Sequence, residues 1–188
     1  MSDPASSQSK LTRGQIHAAL EALNRALAER EVIGEICLFG GAVMVLAFNA
    51  RLATKDVDAI FQPADVVREL ALQIGKSVGL AENWLNDGVK GYLSARHETT
   101  RGSLPQFDHL RLTMPTPEYL LAMKCLASRI GAGAGEADDT ADIAFLIRHL
   151  GLKTPEGVMD VGAAYYRPHR IPEKAQCLVE TLFEEGHV

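Results

Sequence analysis

The feature that most constrains this chain is the pair Gly40-Gly41, set between a short apolar run and the triplet Asp56-Val57-Asp58. Residues 35–39 read as a buried strand, and two glycines stop it because they admit backbone conformations that side chains forbid. Residues 42–49 then have helical composition, residues 51–55 form a polar loop, and 56–61 alternate as a second strand closed at Pro63. Side chains two apart on a strand share a face, so Asp56 and Asp58 start about 6 to 7 Å apart while Val57 turns inward. Two carboxylates converge on one spot.

The triplet alone carries little weight, because a chain with ten aspartates contains Asp-x-Asp by chance in roughly every second case at this length. Its setting adds the specificity. Adjacent glycines after a buried strand let the backbone approach a phosphate, and the following helix aims its first N–H groups at the same anion. Two carboxylates plus phosphate oxygens suit Mg²⁺, a hard cation. The other reading is a surface strand with two solvated carboxylates behind a packing pair of glycines.

Upstream, Thr12-x-x-Gln15 has the form of a capping box, and Ile16, Ala19, Leu20, Leu23 and Leu27 make an apolar helical stripe. Helices are also predicted over 66–77, 117–130 and 138–150 and after Pro172, with a strand at 110–114 and a mixed segment at 81–93. Thr116-Pro117-Glu118 supplies a cap, a first-turn proline and a first-turn acid, and the glycine-rich 131–135 breaks the chain after that helix. Within it Leu120, Leu121, Met123, Leu126, Ala127 and Ile130 fall on one broad arc, and Lys124 falls inside that arc. A lysine so placed either snorkels out along its stem or holds its ammonium toward an anion such as a triphosphate. Asp139 and Asp142, three apart on the next helix, are placed to orient Lys124 or to complete a metal site, and helix capping explains Asp138 and Asp139 almost as well.

Leu38-Phe39-Gly40-Gly41 followed by Thr54-Lys55-Asp56-Val57-Asp58 resembles the nucleotidyltransferase superfamily, in particular its minimal branch of abortive-infection (AbiEii-like) toxin nucleotidyltransferases and their bacterial relatives. Leu120-Leu-Ala-Met-Lys124 and Asp139-x-x-Asp142-Ile143 are similar to the lysine and aspartate motifs of that branch, so the likeness spans residues 34–150. It implies an α/β (α+β) fold, with a small mixed sheet flanked by helices and a helical C-terminal part. It further implies transfer of NMP from an NTP to an acceptor hydroxyl with Mg²⁺ or Mn²⁺. Asp56 and Asp58 would hold metal, Gly40, Gly41, Thr54, Lys55 and Lys124 the nucleotide, and Asp139 or Asp142 would support catalysis. Implied partners are a tRNA 3′ end as acceptor and a cognate antitoxin protein; the rivals are a small-molecule or protein acceptor, and a non-catalytic binding protein of the same fold. Asp108, just before the strand at 110, is the candidate for a third carboxylate of the kind that larger members carry.

Trp84 to Lys90 gathers an aromatic, an amide, an acid and a lysine around one turn, so Asn86, Asp87 and Lys90 form a candidate acceptor site, or else a packed turn. Lys90, Arg96, Arg101 and Arg111 make residues 88–111 locally basic, where RNA would lie unless this is simply a solvated loop. The 188 residues are 47% apolar, enough for one core, and the net charge of −5 gives no chain-wide attraction to polyanions. The expected organisation is a disordered tail at 1–10, a core at 11–114 and a helical part of the same domain at 115–188. No apolar run reaches the roughly 18 residues that cross a bilayer and no leader pattern is present, so a cytoplasmic protein without membrane contact is expected. Cys37, Cys125 and Cys177 stand apart among apolar neighbours and read as structural, and none of the six histidines has metal-ligand spacing to another.

Overall fold

The computed structural model describes residues 10–128 and 136–188. The expected tail, save Lys10, and the glycine-rich break at 131–135 lie outside the described residues. By their contacts the residues divide into two compact units, Met1–Val89 with Arg101–Met114, and Lys90–Thr100 with Pro115–Val188. Residues 90–100, expected in the core part, thus belong with the C-terminal helices. Among the described residues no helix is long and apolar enough to cross a membrane.

The first unit opens with β1 (Leu11–Thr12) and α1 (Arg13–Glu29). The Thr12 hydroxyl accepts the Gln15 N–H at 3.3 Å and the Gln15 side chain accepts the Thr12 N–H at 2.9 Å, the reciprocal box expected. The buried stripe of α1 is Ile16, Ala19, Leu20, Leu23 and Leu27, as its spacing predicts. Then follow β2 (Gly34–Leu38), α2 (Gly40–Leu46), β3 (Ala53–Thr54), β4 (Val57–Gln62), α3 (Ala64–Val78) and β5 (Leu85–Asn86). The helix expected from residue 42 begins on the glycines themselves, and the expected polar loop at 51–55 contains β3, which pairs antiparallel with β1. Thr12 therefore both caps α1 and pairs with Ala53.

The mixed sheet has β4 antiparallel to β2, β5 parallel to β4, and β7 (Leu110–Pro115) parallel to β2 on its other side. One face buries Ile36, Leu38, Val57, Ala59 and Leu112 near zero exposure, with α3 packed on β4 and α1 on α3. Alternation puts Glu35 and Cys37, Asp58 and Ile60, and Arg111 and Thr113 on the opposite, more open face. The sheet therefore presents Asp58 on its open side because Val57 and Ala59 fill the core.

The second unit holds the two-residue strand β6 (Thr99–Thr100) and α4 (Pro117–Ala127), α5 (Glu136–Leu150), α6 (Pro155–Tyr165) and α7 (Glu173–Glu184). Helix α4 starts on the Thr116 cap as expected and is buried on nearly all sides, from Tyr119 to Cys125, because α5, α6 and α7 all pack against it. It is the central helix of this unit, where its sequence predicts only one apolar arc, and it ends at Ala127, while residues 129–130 lie outside the described residues. Helix α6 is an addition to the expected elements, although Thr154-Pro155-Glu156 repeats the start of α4. This is a mixed α/β architecture, with helices on the sheet of the first unit and a helical C-terminal part, as expected.

Candidate functional site

Strand β2 ends at Leu38, and Phe39 donates its N–H to the Asp58 carbonyl at 2.8 Å, which fixes the next residue beside the acidic strand. That residue, Gly40, has φ +58, a left-handed conformation that costs about 1–2 kcal/mol for a residue with a side chain. A Cβ placed on Gly40 would stand 3.1 Å from the Asp58 Oδ2. Glycine is needed here twice over, for its backbone and for the space that the carboxylate occupies. At Gly41 the crowding is greater: a Cβ there would lie 2.2 Å from the Thr54 hydroxyl oxygen and 3.2 Å from the Arg51 Nη1.

Asp56 lies just before β4 and Asp58 within it, both half-buried, with fully buried Val57 between them. Asn86 pairs in register with Asp58 on the neighbouring strand and donates its Nδ2–H to Asp56 Oδ2 at 3.3 Å. Its own carbonyl accepts the Gly88 N–H at 3.0 Å, which settles which end of the amide faces the acid. Two carboxylates held at one strand end repel one another, and a cation between them relieves that repulsion. Among the described residues no group of three or more His, Cys, Asp or Glu is placed to hold a metal ion. Two carboxylates are nevertheless enough for a metal that arrives with phosphate oxygens of its own, so the donor set fits Mg²⁺ bound as a nucleotide complex.

Of the expected nucleotide ligands, Gly40 and Gly41 form the turn beside Asp58, whereas Thr54 is 5% exposed with its hydroxyl tucked under Gly41. Thr54 supports the turn from below, and Lys55 is exposed. Asp108 is misplaced as a third carboxylate. It is exposed and precedes Leu110, which pairs with Gly34 at the start of β2, whereas Asp58 lies beyond the end of that strand, roughly 13 Å further along. The residue of β7 that faces Cys37 on the open side is Thr113, so the strand position nearest the acids carries a hydroxyl.

The expected acceptor cluster separates. Trp84 is a core residue at 1% exposure whose indole N–H donates to the Ala71 carbonyl at 2.8 Å. Asp87 pairs with Arg68 at 3.1 Å, Lys90 is an exposed residue of the second unit, and only Asn86 joins the acids. The basic strip is also partly neutralised, since Arg96 meets Glu98 at 2.8 Å and Arg111 meets Glu35 at 3.2 Å. Arg51 is the residue that sequence reasoning misses: its guanidinium rests against the Gly41 turn, yet an arginine in a polar loop has no spacing that announces it.

In the second unit Lys124 neither snorkels nor stands open. Its ammonium lies 2.8 Å from Asp139 Oδ1 and 2.6 Å from Asp142 Oδ2, with Lys124 10% exposed and Asp142 1% exposed at their side chains. Both downstream acids therefore orient the lysine, one of the two roles their spacing allows. Burial pushes the Cys37 thiol up to about 11 and the Cys125 thiol up to about 12, so neither is a thiolate nucleophile near neutrality. Comparison with protein-family models, with curated proteins and with solved structures gives no match.

Proposed function

We propose that this chain is a nucleotidyltransferase, which moves a nucleoside monophosphate from an NTP to an acceptor hydroxyl. The observation that carries the reading is the apposition of two sequence-distant features: the left-handed Gly40 faces the Asp58 carboxylate with room for no side chain between them. A solvated surface strand has no need of that fit, whereas a phosphate-binding turn beside metal-holding acids does. Bound Mg²⁺ or Mn²⁺, held by Asp56 and Asp58, would supply charge neutralisation to the phosphates. Asn86 keeps Asp56 in place, and Gly40 and Gly41 bring backbone to the phosphates. The acceptor oxygen forms a new bond to the α-phosphorus as the bond to pyrophosphate breaks in line. The hydroxyl proton passes to Asp58 or to solvent, and positioning carries most of the rate.

The acceptor favoured by the sequence resemblance is an RNA end, with tRNA 3′ ends the first to try, as in a toxin controlled by an antitoxin protein. The test is to incubate wild type and Asp58→Asn with Mg²⁺, each labelled NTP and total RNA, and to follow the label. Label on RNA that disappears in the variant supports the full reading, and label on protein moves the acceptor class. If no acceptor is labelled, and NTP binds equally well to both forms, the enzyme reading is abandoned in favour of a nucleotide-binding protein.

A further inference from the structure

The turn that places Asp58 against Gly40 places a cation against the next residue. Arg51 Nη1 lies 3.2 Å from where a Gly41 Cβ would stand, and Nη2 is shut off from solvent. The guanidinium thus lies close on the backbone of Gly41, where only glycine leaves it space. Its loop is anchored at once by β3, where Thr54 pairs with Leu11 and its hydroxyl fills the other side of Gly41. Consecutive glycines therefore carry opposite charges at their flanks, a carboxylate at Gly40 and a guanidinium at Gly41.

A metal-bound triphosphate needs that division of charge. The acids serve the metal, and phosphate oxygens left uncompensated need a cation beyond it. Lys124, the lysine that its sequence position offers for the task, is held by Asp139 and Asp142 in the other unit. We propose that Arg51 is a substrate ligand, whose fork takes the β- and γ-phosphate oxygens of the nucleotide at the Gly40-Gly41 turn and so makes the protein prefer triphosphates to monophosphates. The proposal rests on the nucleotidyltransferase reading. A guanidinium suits the task better than an ammonium because its planar donors meet two phosphate oxygens together.

The test compares binding of the four Mg²⁺-NTPs and the four corresponding monophosphates to wild type, Arg51→Gln, Arg51→Lys and Asp58→Asn, by titration calorimetry. Wild type should bind at least one triphosphate more tightly than its monophosphate. Loss of the guanidinium in Arg51→Gln should reduce that ratio by roughly 10- to 100-fold, as expected for charge-assisted hydrogen bonds, without changing the monophosphate affinity. Arg51→Lys should recover part of the ratio. A packing role would weaken both ligands alike, so an unchanged ratio in Arg51→Gln overturns the proposal. Should that variant not fold, Arg51→Lys decides: the ratio falls severalfold, or the proposal fails. Mg²⁺-dependent binding that Asp58→Asn abolishes, together with an Arg51-independent ratio, sinks this inference alone; a wild type that binds no nucleotide sinks the parent reading with it.

Discussion

Two acidic pairs, Asp56 with Asp58 and Asp139 with Asp142, look alike in sequence and are handled in opposite ways. In the second unit a lysine from α4 reaches between the two acids at 2.8 and 2.6 Å, and the charges are settled largely among themselves in the helical core. In the first unit the acids stand half-buried on the open side of a sheet beside a glycine turn and an amide. The difference follows from period. Spacing of three on a helix lets both acids meet one side chain from a packed neighbour, whereas spacing of two on a strand aims both off the sheet. The first arrangement holds a fold together; the second leaves chemistry exposed.

The largest effect that would test this contrast is on stability. Lys124→Met removes one partner from a buried ion group and should destabilise the protein by about 3–5 kcal/mol in urea unfolding. Asp58→Asn, by relieving like charges, should change stability by less than about 1 kcal/mol. Equal losses would erase the distinction between a structural and a functional pair. Within the second unit, Asp142→Asn should weaken the fold more than Asp139→Asn, since the Asp142 side chain is 1% exposed against 29%.

A smaller effect sharpens the glycine side. Gly41→Ala sets a methyl 2.2 Å from the Thr54 hydroxyl oxygen, and overpacking of this kind should destabilise by about 1–3 kcal/mol. Thr54→Ala in the same chain should restore part of that loss; if it restores none, Thr54 is not the support of the turn. The smallest effect concerns pH. The Tyr165 hydroxyl, donating to Glu98 at 2.6 Å, and then the Arg96 guanidinium hold the Glu98 carboxyl below its ordinary 4.5. A lowered carboxyl stabilises the fold above the unfolded-state value and loses that contribution as pH falls through the folded one. Urea midpoints measured downward from neutrality should therefore fall less steeply below about pH 4.5 in Glu98→Gln than in wild type.

Legibility followed the strength of local chemistry. The capping box at Thr12, the stripe of α1, the strand before Gly40 and the Thr116 start of α4 were all readable because each has a period or a fixed offset. Lys124 could be connected to Asp139 and Asp142 because it interrupts an apolar arc. Register was not readable, which is why Asp108 looked available as a third acid and stands at the wrong end of the sheet. Nor were β1 and β3, since two residues give no alternation to detect. Arg51 was hidden for a related reason: its position is set by the pairing of those two short strands, which only the folded chain displays.

That pairing makes the start of the described chain a tether for the active loop. Because Thr12 closes the first turn of α1 and also pairs with Ala53, tension or truncation at residues 11–12 acts directly on the segment that carries Arg51. A chain begun at Arg13 keeps the whole buried stripe of α1, so its unfolding midpoint should move little. Protease cutting at 50–55 should rise sharply, making the N-terminus a handle on the site rather than an ornament of the core.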